Sequence, residues 1–414
     1  MFEINEKVEK LSLQAEKELE SIFGEIDEMC LKNSKKILNA FTENKVSYTD
    51  FQDINGYGYY DGGRNKLEKI FADVLGAEDA LVRPQIMSGT NAIALTLSAL
   101  LHYGDIMLSI SGLPYDSLRG IIGLSGNSNQ SLKRNGVKYE QIDLVNDDFD
   151  YKAIEKKIKE EKIRLIAIQR STGYSARKSI CIEKIEKVIK IIKSIDKDII
   201  VMVDNCYGEL VEEKEPTDVG ADVIVGSLMK NLGGGIASTG GYVAGNKDII
   251  NEVAERLTAP CIGKDLGANF NQNILFYKGL FMAPSAVKGA LKTAIFASYM
   301  LEKLNFKNIT PKYSEKRTDI IQKFDLLSEE NLVKFCQGLQ NGSPVDSFVT
   351  VLPGPMPGYP CEEVMAAGNF TQGSTIELSA DAPVVEPYTL YMQGGITYEY
   401  GKLGVMIAIS KMLD

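Results

Sequence analysis

One histidine, His102, stands in 414 residues. Paired-histidine metal sites are therefore out of reach, and no CxxC pair compensates. A Ser-His-Asp mechanism has a single possible base, and "ALTLSALLHYGD" places it at the end of an apolar helix. The six cysteines, Cys30, Cys181, Cys206, Cys261, Cys336 and Cys361, are scattered, as reduced thiols of a cytosolic protein are. No apolar run reaches the roughly 20 residues of a membrane span. The first residues, "MFEINEKVEKLSLQAEKELE", lack the basic start and apolar centre of a signal peptide. The expected location is cytoplasmic, without a membrane partner. Positive charge is also short: the net charge is -10, which argues against a nucleic-acid surface. "KAIEKKIKEEKIR" (Lys152 to Arg164) is locally lysine-rich, but its interleaved glutamates read as a solvated helix face.

What is present is an alternation. "DALVRPQI", "DIMLSIS", "VKYEQIDL", "IRLIAIQ", "DIIVMVDN" and "DVIVGS" read as strands. Between the first five, "GTNAIALTLSALL", "YDSLRGIIGLS", "DYKAIEKKIKEEK" and "IEKIEKVIKIIKSI" read as helices. Runs such as IIVMV are apolar at successive positions, which suits strands covered on both faces. The pattern predicts an α/β fold with a mostly parallel sheet flanked by helices. Residues 1–55 read as an N-terminal helical arm, 56–283 as a large α/β domain, and 284–414 as a small C-terminal α+β domain. "APSAVKGALKTAIFASYMLEKL" reads as a long helix starting near Pro284.

Three loops follow predicted strands. Ser88-Gly89-Thr90 opens a helix, and its free N–H groups, hydroxyls and dipole suit a phosphate. It reads equally as an ordinary N-cap. Asp204 ends "IIVMVD"; a buried carboxylate there needs a cationic partner, or serves as a cap or structural ion pair. Lys230 follows "DVIVGSLM" and precedes three glycines. A partly desolvated lysine has a lowered pKa and acts as a nucleophilic amine; the plain alternative is a surface lysine. All three lie at the carboxyl ends of predicted parallel strands, where open α/β sheets bind ligands. Pyridoxal phosphate needs this trio of lysine, carboxylate and phosphate cup.

The order SGT, VDN, then a lysine 26 residues beyond the aspartate resembles fold-type-I pyridoxal-phosphate enzymes. Within them the chain is similar to the cystathionine/methionine γ-lyase group, in its aluminium-resistance branch. The phrases "GYGYYDGGRNKLE", "SGTNAIALTLSALL", "GLPYDSL", "VDNCYGEL", "GSLMKNLGGGIA", "GSTIELSADAP" and "YMQGGITYEYGKLG" carry the likeness from residue 56 to 406. The resemblance implies an enzyme in which Lys230 bonds the cofactor aldehyde and moves the Cα proton. Asp204 would pair with the pyridine nitrogen, and Ser88, Gly89, Thr90 and Ser227 would hold the phosphate. Tyr115 would stack on the ring, unless it is a core tyrosine, and Gln169 would contact the ring oxygen. Tyr59 and Arg64 would reach the phosphate of a neighbouring subunit, making a homodimer or homotetramer with shared active sites. Expulsion of sulfur from Cβ or Cγ of an amino-acid substrate would leave a 2-oxo acid and ammonia.

The chain departs from the family's pattern where the substrate carboxylate is held. No arginine follows Arg317, Val384 and Val385 stand where a basic residue is expected, Asn91 replaces a histidine after SGT, and Thr172 is atypical. Arg170 and Arg177 are the candidate replacements. Two other readings stand beside the carbon–sulfur lyase. One is a pyridoxal-phosphate enzyme of another type, an aldolase, transferase or decarboxylase. The other is a nucleotide-binding or regulatory α/β protein, although GxxxxGK[ST] is absent and the glycines follow the lysine.

Overall fold

The successive apolar runs become strands with a core on each face. In the computed structural model, which describes residues 4–57, 61–175, 177–355 and 361–414, the first sheet has seven strands. They are β1 (Asp79–Arg83), β2 (Ile106–Ser109), β3 (Lys138–Gln141), β4 (Leu165–Gln169), β5 (Ile200–Asp204), β6 (Val223–Ser227) and β7 (Gly241–Gly245), in the order β1-β7-β6-β5-β4-β2-β3. Along β5, Val201 and Val203 join one core while Ile200 and Met202 join the other. The period of two explains why every residue must be apolar.

Helices cover both faces. Helices α1 (Glu6–Glu18) and α2 (Glu20–Glu43) precede α3 (Gly62–Leu75), and α4 (Gly89–Leu100) and α5 (Asp116–Ile122) follow β1 and β2. Next come α6 (Tyr151–Glu160), α7 (Ile182–Ile195) and α8 (Lys247–Leu257). Ile182, Ile185, Ile189 and Ile192 of α7 fall at helical spacing and are buried. Each such side chain removed from water contributes about 1.5–3 kcal/mol. Helices α3, α6 and α7 share one core, and α4, α5 and α8 the other. The last strand, β7, pairs antiparallel with both β1 and β6. It was absent from the sequence reading, because "GYVAG" is short and begins in a glycine-rich loop.

Helix α9 (Asn273–Lys303) begins eleven residues before the expected start, with Pro284 inside it. An interior proline costs a helix about 3 kcal/mol. Here Phe276, Tyr277, Leu280, Val287 and Leu291 of the same helix are buried, which outweighs that cost. Its first half lies in the core beside α3, and its second half, from Ile295 to Leu301, lies in a third core. The 283/284 division therefore falls within one helix. The third core underlies a six-stranded antiparallel sheet: β8 (Ile309–Thr310), β9 (Gln322–Asp325), β10 (Gly354–Pro355), β11 (Glu362–Ala366), β12 (Ser379–Pro383) and β13 (Thr389–Gln393). Helices α10 (Glu329–Asn341) and α11 (Tyr398–Leu413) cover it. The N-terminal arm packs on both units: Val8, Ala15 and Leu19 enter the third core, and Ile37 and Ala40 the first.

All six cysteines are free thiols. Among the described residues no helix is long and apolar enough to cross a membrane, and no group of ligating side chains is arranged for a metal. His102 lies exposed, just beyond the end of α4.

Candidate active site

The register of the first sheet brings the predicted residues to one edge. Gln169 and Asp204 end β4 and β5 as direct neighbours, and Ser227 ends β6 beside them. A cavity of about 270 Å³ opens there, lined by Ser88, Gly89, Thr90, Tyr115, Gln169, Asp204, Ser227 and Lys230 among others. Eight of the nine described site residues thus converge. The ninth, Arg64, does not line this cavity: its Nη1 donates to the Gly267 carbonyl at 3.2 Å. Tyr59 lies outside the described residues.

Ser88 is the N-cap of α4, its Oγ accepting from the Asn91 N–H at 3.1 Å. The cap reading and the phosphate reading meet in one motif, since the remaining first-turn N–H groups have no helical acceptor. Gly89 is needed for closeness. A Cβ on it would lie 3.2 Å from both Cys206 Sγ and Ser227 Cβ. Thr90 Oγ1 lies 3.3 Å from the Tyr115 hydroxyl and 3.3 Å from Ser117 Oγ. Tyr115 precedes α5, and its N–H donates to Gln169 Oε1 at 3.1 Å. Burial, with Asp204 nearby, pushes its hydroxyl up to about 12, so the phenol is neutral. Gln169 Nε2 donates to the Ser171 carbonyl at 3.3 Å, so this amide ties the Tyr115 loop to the strand edge.

Asp204 is 7 % exposed and forms no ion pair among the described residues. Burial raises its carboxyl pKa, while the Cys206 N–H at 3.2 Å and the Lys230 charge oppose the rise. It is a buried acid that a cationic ring N–H would satisfy. Burial presses the Lys230 ammonium toward neutrality, but Tyr207 and Cys206 outweigh this, and its pKa lies above the ordinary lysine value. The expected lowering is therefore corrected. The Lys230 Nζ sits 3.9 Å from the centre of the Tyr207 ring, and the ring face favours the charged form. Tyr207 escaped the sequence reading, although it stands three residues after Asp204 within "VDNCYGEL". Its φ of 70° is the left-handed conformation, a strained choice for an aromatic residue that aims the ring at the lysine.

Neither replacement arginine faces the cavity. Arg170 is fully buried, its Nη1 donating to Asn205 Oδ1 at 2.7 Å and its Nη2 pairing with Glu212 at 2.9 Å. Arg177 Nη2 donates to the Gln169 carbonyl at 2.7 Å, and burial brings its pKa down to about 10. Arg317 is buried and meets no hydrogen-bond acceptor among the described residues. Thr172 serves the junction between sheets: its N–H donates to Asp319 at 3.2 Å and its hydroxyl accepts from Lys323 at 3.2 Å. From the second sheet, Tyr391 and Gln393 complete the wall. They too were missed as site residues, within the quoted "YMQGG".

The methionine gamma-lyase family model matches residues 8–413. The chain belongs to that family. An uncharacterized protein of Bacillus subtilis, YnbB, is 44% identical over 99% of this chain and 97% of its own. A carbon-sulfur lyase involved in aluminium resistance from Clostridium novyi has a structure with TM-score 0.94 and 47% identity, covering 98% of this chain and 96% of that one. A candidate cystathionine beta-lyase involved in aluminium resistance from Clostridium acetobutylicum matches with TM-score 0.94 and 46% identity, over 99% and 96%. This member of the family is an enzyme with the fold-type-I architecture.

Proposed function

We propose that this enzyme is a pyridoxal-phosphate-dependent carbon–sulfur lyase of the cytoplasm. Its substrate is a sulfur amino acid such as cystathionine or methionine, and its products include a 2-oxo acid and ammonia. The observation that carries the reading is the convergence of a helix N-terminus, a buried carboxylate and a single lysine on one cavity. Family membership and the carbon-sulfur lyase of Clostridium novyi support it.

The residues fit the cofactor. Gly89 leaves the α4 N-terminus open beside Ser227, so Ser88, Gly89, Thr90 and Ser227 hold a phosphate. Among the described residues Asp204 forms no ion pair and feels only the fields of Lys230 and Arg177, and a pyridinium N–H would supply a direct partner. Tyr115, neutral and near Asp204, offers an aromatic face. When bound, pyridoxal phosphate supplies an aldehyde for amines and a ring that accepts electron density from Cα. Lys230, the one amine among the described residues lining the cavity, would bond that aldehyde and move the substrate Cα proton. Asp204 would hold positive charge on the ring nitrogen, and Tyr115 lines the same cavity. Tyr59 and Arg64 complete the phosphate site of a partner subunit in a homodimer or homotetramer.

A second pyridoxal-phosphate reaction type stays in view on one observation: Lys230 is the only cation among the described residues lining the cavity. The test is the visible spectrum after incubation with pyridoxal phosphate. Wild-type protein is expected to turn yellow and to fix the label on Lys230 after borohydride. Lys230→Ala should lose the fixed label and at least about 10²–10⁴-fold of turnover. A wild type that stays colourless overturns the cofactor assignment. Release of 2-oxo acid from none of cystathionine, methionine or cysteine favours the other reaction type.

A further inference from the structure

The cavity wall built by the second sheet is rich in acceptors. Gln393, at the end of β13, lines the cavity and is 3 % exposed. Its Nε2 donates to Asp381 Oδ2 at 2.9 Å and to Ser379 Oγ at 3.4 Å. Asp381 lies on β12, in register with Tyr391. Burial raises the Asp381 carboxyl pKa and the Gln393 N–H opposes the rise; with both bonds made by Nε2, the amide nitrogen faces β12. The oxygen is the atom this side chain has left to offer a ligand. Acidic side chains lie around it. Asp116 lines the same cavity and pairs with Arg119 at 2.6 Å; burial, with Asp381 and Asp116 nearby, pushes the Glu363 carboxyl up to about 7. A substrate carboxylate there would meet the amide oxygen, a second acceptor. A donor would be bound.

We propose that Gln393, held by Asp381 as a positioning residue, reads a hydrogen-bond donor on the part of the substrate that faces the second sheet. The ligand class is an amino acid with a second amine or an amide in its side chain, chosen over one ending in an alkyl group. The proposal rests on the lyase reading for the reaction, but the binding preference does not require cleavage. A site built to bond a polar group rejects an analogue without it far more strongly than an apolar pocket rejects a methylene.

The test uses holoenzyme and two ligands of equal length without a sulfur leaving group, L-lysine and L-2-aminoheptanoate, titrated calorimetrically. Wild type is expected to bind lysine at least about ten-fold more tightly. Gln393→Leu should bring the two within about three-fold of each other. Asp381→Asn, which frees the amide to turn over, should shrink the preference as well while the cofactor absorbance persists. Equal affinities in wild type, binding of neither ligand, or an unchanged preference in Gln393→Leu overturns the proposal. The wild-type comparison decides even if a variant fails to fold. S-(2-aminoethyl)-L-cysteine and S-propyl-L-cysteine are assayed alongside. Cleavage of both at equal efficiency sinks the subsite and leaves the lyase; a lysine preference with no 2-oxo acid from these two or from cystathionine, methionine and cysteine supports the subsite and sinks the lyase.

Discussion

At the residue scale, the site is governed by which buried groups carry charge. Lys230 meets the Tyr207 ring at 3.9 Å, and Asp204 lies buried beneath the same cavity. Behind them Glu209 is fully buried, with Oε1 accepting from the Tyr242 hydroxyl at 2.9 Å and Oε2 unpartnered among the described residues. Burial pushes its carboxyl up from 4.5 to about 8. Between those pH values the folded protein holds a proton that the unfolded chain has released. Stability therefore falls as pH rises through that window, by up to about 1.4 kcal/mol per unit, and levels off above it. Glu209→Gln removes the titration. Its melting temperature is expected to match wild type near pH 5 and to exceed it at pH 8. Parallel pH curves for the two proteins would show that Glu209 is not the group responsible.

At the element scale, the glycines after Lys230 serve packing. None of Gly233, Gly234 and Gly235 lines the cavity. Gly234 has φ 57°, and a Cβ on it would fall 2.4 Å from the Gly279 carbonyl of α9. A Cβ on Gly279 would fall 2.5 Å from the Gly233 carbonyl. Two backbones touch, and the contact holds the lysine loop against the long helix. Gly279→Ala is expected to cost about 1–3 kcal/mol by overpacking and to displace Lys230. The measurements are a lower melting temperature and a weaker cofactor band. Unchanged values for both would refute this account of the glycines.

At the scale of the whole molecule, the proposed sharing of sites makes Arg64 and Lys230 serve different cavities. Exposed apolar side chains near the Arg64 segment, Tyr57, Phe270 and Phe281, favour a covered surface there. Arg64→Ala and Lys230→Ala subunits, each inactive alone, should recover activity when mixed and exchanged, because a hybrid dimer holds one intact site. If the mixture stays as inactive as its parts, the sites are not shared. Size-exclusion chromatography separates dimer from tetramer.

Much was legible in the chain because its signals are local. Continuous apolar runs such as IIVMV required strands buried on both faces, and the spacing of isoleucines required α7. SGT, Asp204 and Lys230 each end or follow such a run, so one strand direction sufficed to place them on one edge. What needs distant partners was not legible. Pro284 reads as a helix start until burial of the residues before it is known, and β7 exists because β1 and β6 flank it. Arg170 and Arg177 look free in sequence, but Asn205, Glu212 and backbone carbonyls occupy them. The direction of the lysine's pKa depended on Tyr207 and Cys206 packed beside it. Local pattern determined the strands and the trio at their ends; tertiary packing decided which charged side chains were left to face a ligand, since that depends on neighbours far away in sequence.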